Sequence, residues 1–126
     1  MRNKGVIYDR CKQFSVKIIE LCRTLEEVGA YIISRQIIRS VTSIGANYSE
    51  ALGTESDSDF IHKLSISLKE THETQYWLDI LKDTKFITEE CYNALYNDSE
   101  EIYKMMTASV ITVKRRNSNP HQPLGK

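Results

Sequence analysis

The chain is predicted to be all-α, four amphipathic helices packed as an up-down-up-down antiparallel bundle. Three observations predict it. Apolar residues recur at spacings of three and four along almost the whole chain, the signature of one buried helix face. Only five Gly and two Pro occur in 126 residues, and Pro120 and Pro123 both fall in the last seven; a β-sandwich or barrel needs many more turn-formers. The periodic stretches are long and their connections short, so consecutive helices must run antiparallel.

The first helix, about residues 5–27, carries Ile7, Cys11, Phe14, Ile18, Leu21 and Leu25 on its stripe, and Gly29 marks the break. Cys11 and Cys22 lie about three turns apart and read as small core residues. The second, about 30–52, carries Ile33, Ile37, Val41, Ile44, Tyr48 and Ala51, with Gly53 placed as a left-handed C-terminal residue. Gly45 inside this helix costs about 1 kcal/mol relative to Ala. With Ser40, Ser43 and Ala46 beside it, it points to a close approach by another backbone. Ser56 caps the third helix, about 57–83, and Asp57 and Asp59 suit its N-terminus. Its stripe (Phe60, Leu64, Ser67, Thr71, Thr74, Leu78, Leu81) is apolar at both ends and small and polar in the middle. Ile61, Leu68, Trp77 and Ile80 lie beside that stripe, widening the apolar surface beyond one core contact, and are candidate oligomer-interface residues. Thr88 opens the fourth helix, about 88–116, bearing Cys91, Leu95, Ile102, Met105, Met106, Ser109, Val110 and Val113. Residues 1–116 thus form one bundle, and the polar segment 117–126 is expected to be disordered.

Composition excludes several classes. No apolar run approaches the roughly 18 residues of a membrane span, and the N-terminus leads into no signal-peptide core. Three widely separated cysteines argue against a disulfide framework and for the cytoplasm. Seventeen basic and seventeen acidic residues rule out a uniformly basic nucleic-acid-coating protein.

The zero net charge hides an asymmetry. Residues 1–52 carry eight basic and five acidic groups, 53–101 carry four and twelve, and 102–126 carry five and none. An up-down bundle would gather Arg2, Lys4, Arg10, Lys12, Lys114, Arg115 and Arg116 at one end, which Glu50, Glu55, Asp57 and Asp59 also reach. Solvated termini, self-association through an acidic face, and a polyanion site all remain open there. A turn near residue 55 sets position 39 opposite 71 and position 47 opposite 63. Arg39 is therefore expected to pair with Glu70 or Glu73, and Asn47 or Glu50 to reach His62 or Lys63.

No catalytic constellation appears. Glu-x-x-His, required twice by a di-iron bundle, is absent, and His72-Glu73 lacks the second histidine of a zinc-protease helix. There is no Gly-x-Ser-x-Gly elbow and no Gly-rich phosphate loop. No cofactor and no metal is expected.

The segment from Ile37 to Ala51, IIRSVTSIGANYSEA, resembles the hallmark of the bacterial 23S rRNA-intervening-sequence proteins: a basic stretch, then Ser, an aliphatic residue, Pro, a variable residue, Asn, two residues and Glu. Asp59–Glu70 and Glu73–Leu78 resemble that family's third helix. Gly45 stands where many relatives carry Pro. The resemblance covers the chain to about residue 115 and marks Ser43, Asn47, Glu50 and Glu73 as structural signatures. It implies a non-enzymatic homo-oligomer, by analogy with the related pentameric accessory protein of diversity-generating retroelements, which binds a reverse transcriptase and nucleic acid. The expected role is thus a homopentameric accessory or scaffold associated with RNA, DNA or a nucleic-acid enzyme. Arg35, Arg39, Lys114, Arg115 and Arg116 would be its phosphate contacts. The alternative is a protein–protein adaptor that binds no nucleic acid.

Overall fold

The computed structural model describes residues 4–118. It contains four helices, α1 (Gly5–Glu27), α2 (Tyr31–Leu52), α3 (Asp57–Asp83) and α4 (Glu89–Ser118), and no strand among the described residues. Asn117 and Ser118 continue α4, so the final helix outlasts its expected end by two residues. Positions 119–126 of the expected tail lie outside the described residues.

Hydrogen bonds and ion pairs fix the topology. Cys22 meets Ser34 and Ser15 meets Val41 between α1 and α2; Thr74 meets Ser40 and Ser67 meets Ile44 between α2 and α3. Tyr92 meets Asp79 and Gln75 meets Ser99 between α3 and α4, and Arg10 meets Glu101 while Lys17 meets Asp98 between α1 and α4. In every pair one residue number rises as its partner's falls, so all four neighbouring helices are antiparallel. Each helix packs only on its two neighbours in the ring α1–α2–α3–α4, leaving four outward-facing seams.

The stripes meet on the bundle axis. Phe14, Ile18, Leu25, Ile37, Ile44, Leu64, Leu78, Leu81, Ile102 and Met106 are fully buried. Burial of such side chains is the dominant favourable term in the fold. The small middle of α3 has a different purpose. Ser67 Oγ donates to the Ile44 carbonyl at 2.8 Å, and Thr74 Oγ1 donates to Ser40 Oγ at 2.8 Å. Small hydroxyl side chains let α3 lie close on α2 while the buried Ser40, Ser67, Thr71 and Thr74 hydroxyls are all paired. Gly45 does the same for α1: a Cβ added there would come within 3.2 Å of Cys11 Cβ. What approaches Gly45 is therefore the Cys11 side chain of α1 rather than another backbone.

The connections use left-handed residues, though not where expected. Gly53 has φ −94° and is right-handed, because its N–H simply closes a tight turn onto the Glu50 carbonyl. The left-handed positions that end helices are Gly29 (φ 90°) and Lys85 (φ 64°). At each, the next N–H reaches back five residues, Ala30 to the Leu25 carbonyl and Phe86 to the Leu81 carbonyl, both at 3.0 Å. These are paired-carbonyl helix ends of the Schellman type. A side chain at a left-handed position costs roughly 1–2 kcal/mol, partly offset by the greater chain entropy of unfolded glycine. Lys85→Gly is therefore expected to raise the urea midpoint, with a gain of up to about 1 kcal/mol; a lowered midpoint would contradict the role given to this turn.

Candidate functional site

Each seam has its own chemistry, set by the residues that flank the buried stripes. The α1/α4 seam is closed by ion pairs: Arg10 with Glu101, and Lys17 with Asp98 at 3.0 Å. The α2/α3 seam is closed likewise. Arg39 bridges Glu70 and Glu73, and Lys63 meets Glu50 at 2.5 Å. Both expected partners of Arg39 thus engage it, and of the pairings considered for Asn47 and Glu50 it is Glu50–Lys63 that forms. Trp77 Nε1 donates to the same Glu73 carboxylate at 3.1 Å. Asn47 Nδ2 turns back to the Ser43 carbonyl at 2.9 Å. Of the four signature residues, Glu50 and Glu73 pair across the α2/α3 seam, whereas Asn47 and Ser43 bond to one another within α2. Exposed pairs of this kind contribute well under 1 kcal/mol each; their effect is to hold α2 and α3 in register.

The α3/α4 seam has one ion pair, Arg116 with Asp57 at the pole, and among the described residues the α1/α2 seam has none. Along α1/α2 runs a groove of about 300 Å³ lined by Tyr8, Cys11, Lys12, Ser15, Val16, Thr42, Gly45, Ala46 and Ser49. Small residues on α2 make it, and Lys12 is its only charged wall. Along α3/α4 runs a strip of tyrosines and carboxylates. Tyr92 OH donates to Asp79 Oδ1 at 2.6 Å, and the Tyr92 and Tyr96 rings stand 5.3 Å apart. Lys82 Nζ sits 4.1 Å above the Tyr92 ring, and His72 packs on Tyr103 at 4.8 Å. Desolvation, then the bond to Asp79 and its charge, raise the Tyr92 phenol above its ordinary pKa; desolvation, then Glu100 and Asp79, raise that of Tyr96. The tyrosine cluster was not singled out in the sequence, although Tyr92, Tyr96 and Tyr103 recur at helical spacing off the α4 stripe.

The structure separates the candidate nucleic-acid residues. Arg39 is held between two glutamates and Arg116 is paired with Asp57. Lys114 and Arg115 are exposed at the pole formed by the start of α1 and the end of α4. Arg35 is exposed near the opposite pole, 17 residues before the end of α2, or about 25 Å away. The five do not form one surface. The acidic α2–α3 turn, through Asp57, neutralises part of the basic pole.

The interface candidates also divide. All four are half-buried. Ile61 and Trp77 are 16 residues apart, which turns them about 160° from one another around α3. Ile61 and Leu68 flank the stripe toward α4, on the side of His72 and Asp79, whereas Trp77 and Ile80 flank it toward α2, on the side of Glu73. They are two flanks rather than one patch. The antiparallel register sets Ile32, 80 % exposed, level with Ile80, so Ile32, Trp77 and Ile80 make an apolar end to the α2/α3 seam. Ile32 is off the α2 stripe, and its exposure becomes evident only once α3 is placed beside it.

Among the described residues the geometry groups no nucleophile with a base. Among the described residues no three His, Cys, Asp or Glu side chains are grouped to hold a metal ion. All three cysteines are free thiols. Burial pushes Cys11 up to about 12 and raises Cys22 and Cys91 as well, the opposite of an activated nucleophile. In native protein at pH 8, Cys11 and Cys22 are accordingly expected to resist a disulfide reagent such as DTNB and to react promptly in urea. Rapid native labelling of either would mean that α1 opens far more readily than its burial implies. No helix among the described residues is long and apolar enough to cross a membrane.

A family profile described as 23S rRNA-intervening sequence protein matches residues 3–108. Among solved structures, the chain is similar to a protein with unknown function from the S23 ribosomal protein family of Bacteroides thetaiotaomicron. The two are 45 % identical with a TM-score of 0.81, over 83 % of this chain and 98 % of that one. No curated protein matches the chain.

Proposed function

The chain belongs to the 23S rRNA-intervening sequence protein family, and from that premise we propose that it is a non-enzymatic, homo-oligomeric scaffold, pentameric by its resemblance to the retroelement accessory protein, that associates with nucleic acid. The observation that carries the reading is the α1/α2 groove, which no ion pair among the described residues closes. Lys4, Lys114 and Arg115, at the pole and without acidic partners among the described residues, supply phosphate contacts, which give affinity without sequence choice.

A second reading, an adaptor that binds protein alone, is favoured by the pairing of Arg39 and Arg116 with acids and by the apolar Ile32, Trp77 and Ile80 end. Mobility shifts with structured rRNA fragments separate the two. The nucleic-acid reading predicts retarded RNA at low salt, lost as salt rises and weakened by the double variant Lys114→Ala/Arg115→Ala, but unaffected by Arg39→Ala. RNA that stays unshifted at low salt overturns it in favour of the adaptor.

A further inference from the structure

We propose that the mouth of the α1/α2 groove binds one unpaired nucleotide of a nucleic-acid strand, its base stacked on the Tyr8 ring and its flanking phosphates held by Lys4 and Lys12. The inference rests on the nucleic-acid reading above and says which form of nucleic acid is taken and where.

Residues 4, 8 and 12 follow one another at successive turns on one face of α1. Lys4 Nζ stands 5.1 Å and Lys12 Nζ 5.9 Å from the centre of the Tyr8 ring, so a single aromatic ring gathers two ammonium groups. Neither lysine has a carboxylate partner among the described residues. Asp9, the next residue along, is exposed and pairs with neither. Glu50, next to Ser49 of the groove, is paired with Lys63, and Glu101 with Arg10. The groove itself has no acidic wall, nor has the more open hollow beside it, lined by Lys12, Gln13, Val16 and Lys17.

That arrangement suits a base between two phosphates. An ammonium group over an exposed aromatic face is weakly held, whereas its bond to a phosphate is charge-assisted on both sides. A base laid on the ring takes over the aromatic face, and the two ammonium groups swing to the phosphates on either side of it. Lys4 and Lys12 are about 12 Å apart along the helix axis, and their long side chains converge from the turns above and below Tyr8. Every base has a π-face, so stacking reads the unpaired state rather than the sequence. A base inside a duplex has both faces covered by its neighbours and does not reach the ring.

Among the seven tyrosines, Tyr8 is the one placed for this. Tyr76, Tyr92, Tyr96 and Tyr103 each stand against another ring, Tyr48 is buried, and Tyr31 opens α2 at the opposite pole. Tyr8 has no ring neighbour among the described residues. It is half-buried and packs partly against the core, which holds the ring in place before a base arrives. Lys4 lies at the pole with Lys114 and Arg115, so a strand gripped there by its phosphates runs down α1 onto Tyr8.

Fluorescence anisotropy on the full chain tests this with short labelled oligo(U), oligo(dT) and an RNA duplex of the same length, and circular dichroism shows that each variant is folded. Tyr8→Leu keeps a side chain on the core but removes the stacking face, and is expected to weaken single-strand binding about tenfold, whereas Tyr8→Phe stays within about twofold of wild type. The double variant Lys4→Ala/Lys12→Ala is expected to reduce the slope of log affinity against log salt by about 1.4, the value for two phosphates of a single strand. Lys69→Ala, exposed on α3, leaves binding unchanged. A strand carrying 5-iodouridine is expected to photo-crosslink to Tyr8. Binding of either single strand supports the site, and loss of one alone assigns the sugar. If neither the oligonucleotides nor structured rRNA fragments are bound, the nucleic-acid reading falls and this assignment with it. If RNA is bound but the duplex binds as tightly as the single strands, folded Tyr8→Leu binds like wild type, or the crosslink falls on another tyrosine, the Tyr8 site alone is overturned.

Discussion

Phe14→Ala is expected to lower the free energy of unfolding by about 3–5 kcal/mol. Phe14 is 2 % exposed and among the largest side chains buried in α1. Its ring lies on the axis, so truncation leaves a void lined by side chains of other helices rather than a dent that water can fill. Domains of this size have about 5–15 kcal/mol in total, so the loss is a large share of the whole. Urea titration checks it: the midpoint should fall with an unchanged slope, the mark of lost stability rather than an altered unfolded state. A loss below about 1 kcal/mol would mean the neighbouring helices collapse into the space, which closely packed cores rarely manage.

Ser67→Leu is expected to be comparably damaging for the opposite reason. Ser67 is fully buried where α3 lies against the α2 backbone, its hydroxyl 2.8 Å from the Ile44 carbonyl. A leucine puts three more carbons where the facing helix already is, and overpacking of this kind costs about 1–3 kcal/mol. The lost hydrogen bond adds about 1 kcal/mol. Ser67→Ala separates the two contributions, since it removes only the second. If leucine proves no worse than alanine, α2 and α3 are not held apart by the width of a hydroxyl, and the account of the small polar stripe is wrong.

These two positions show what the sequence made legible. Phe14 is one of six residues in an uninterrupted three–four repeat, so its burial follows from periodicity alone. Ser67 was legible as a gap in such a repeat, and the gap implied closeness. Arg39 was placed against Glu70 and Glu73 because a short turn fixes the register of two antiparallel helices. Where only one helix was in view the reading was poorer. Ile61, Leu68, Trp77 and Ile80 all flank the α3 stripe, but which flank faces which neighbour depends on the order of helices around the ring. Arg35 and Arg115 are alike in sequence terms and stand near opposite poles. Lys85 takes a left-handed conformation with no glycine to announce it, because the hydrogen bond from Phe86 to Leu81 dictates the backbone there. The tyrosine–carboxylate strip needed two helices at once, although Asp79 and Tyr92 are only 13 residues apart across a short turn.

The seams tie fold to function. Ion pairs join α1 to α4 and α2 to α3 along their length and α3 to α4 at one pole, and among the described residues the α1/α2 groove has none.

Sedimentation equilibrium of the wild-type chain near physiological salt asks most directly whether those surfaces are used. The oligomeric reading requires a mass that is a whole-number multiple of 14.6 kDa, five times that value for the pentamer. A single 14.6 kDa species at every concentration would contradict it.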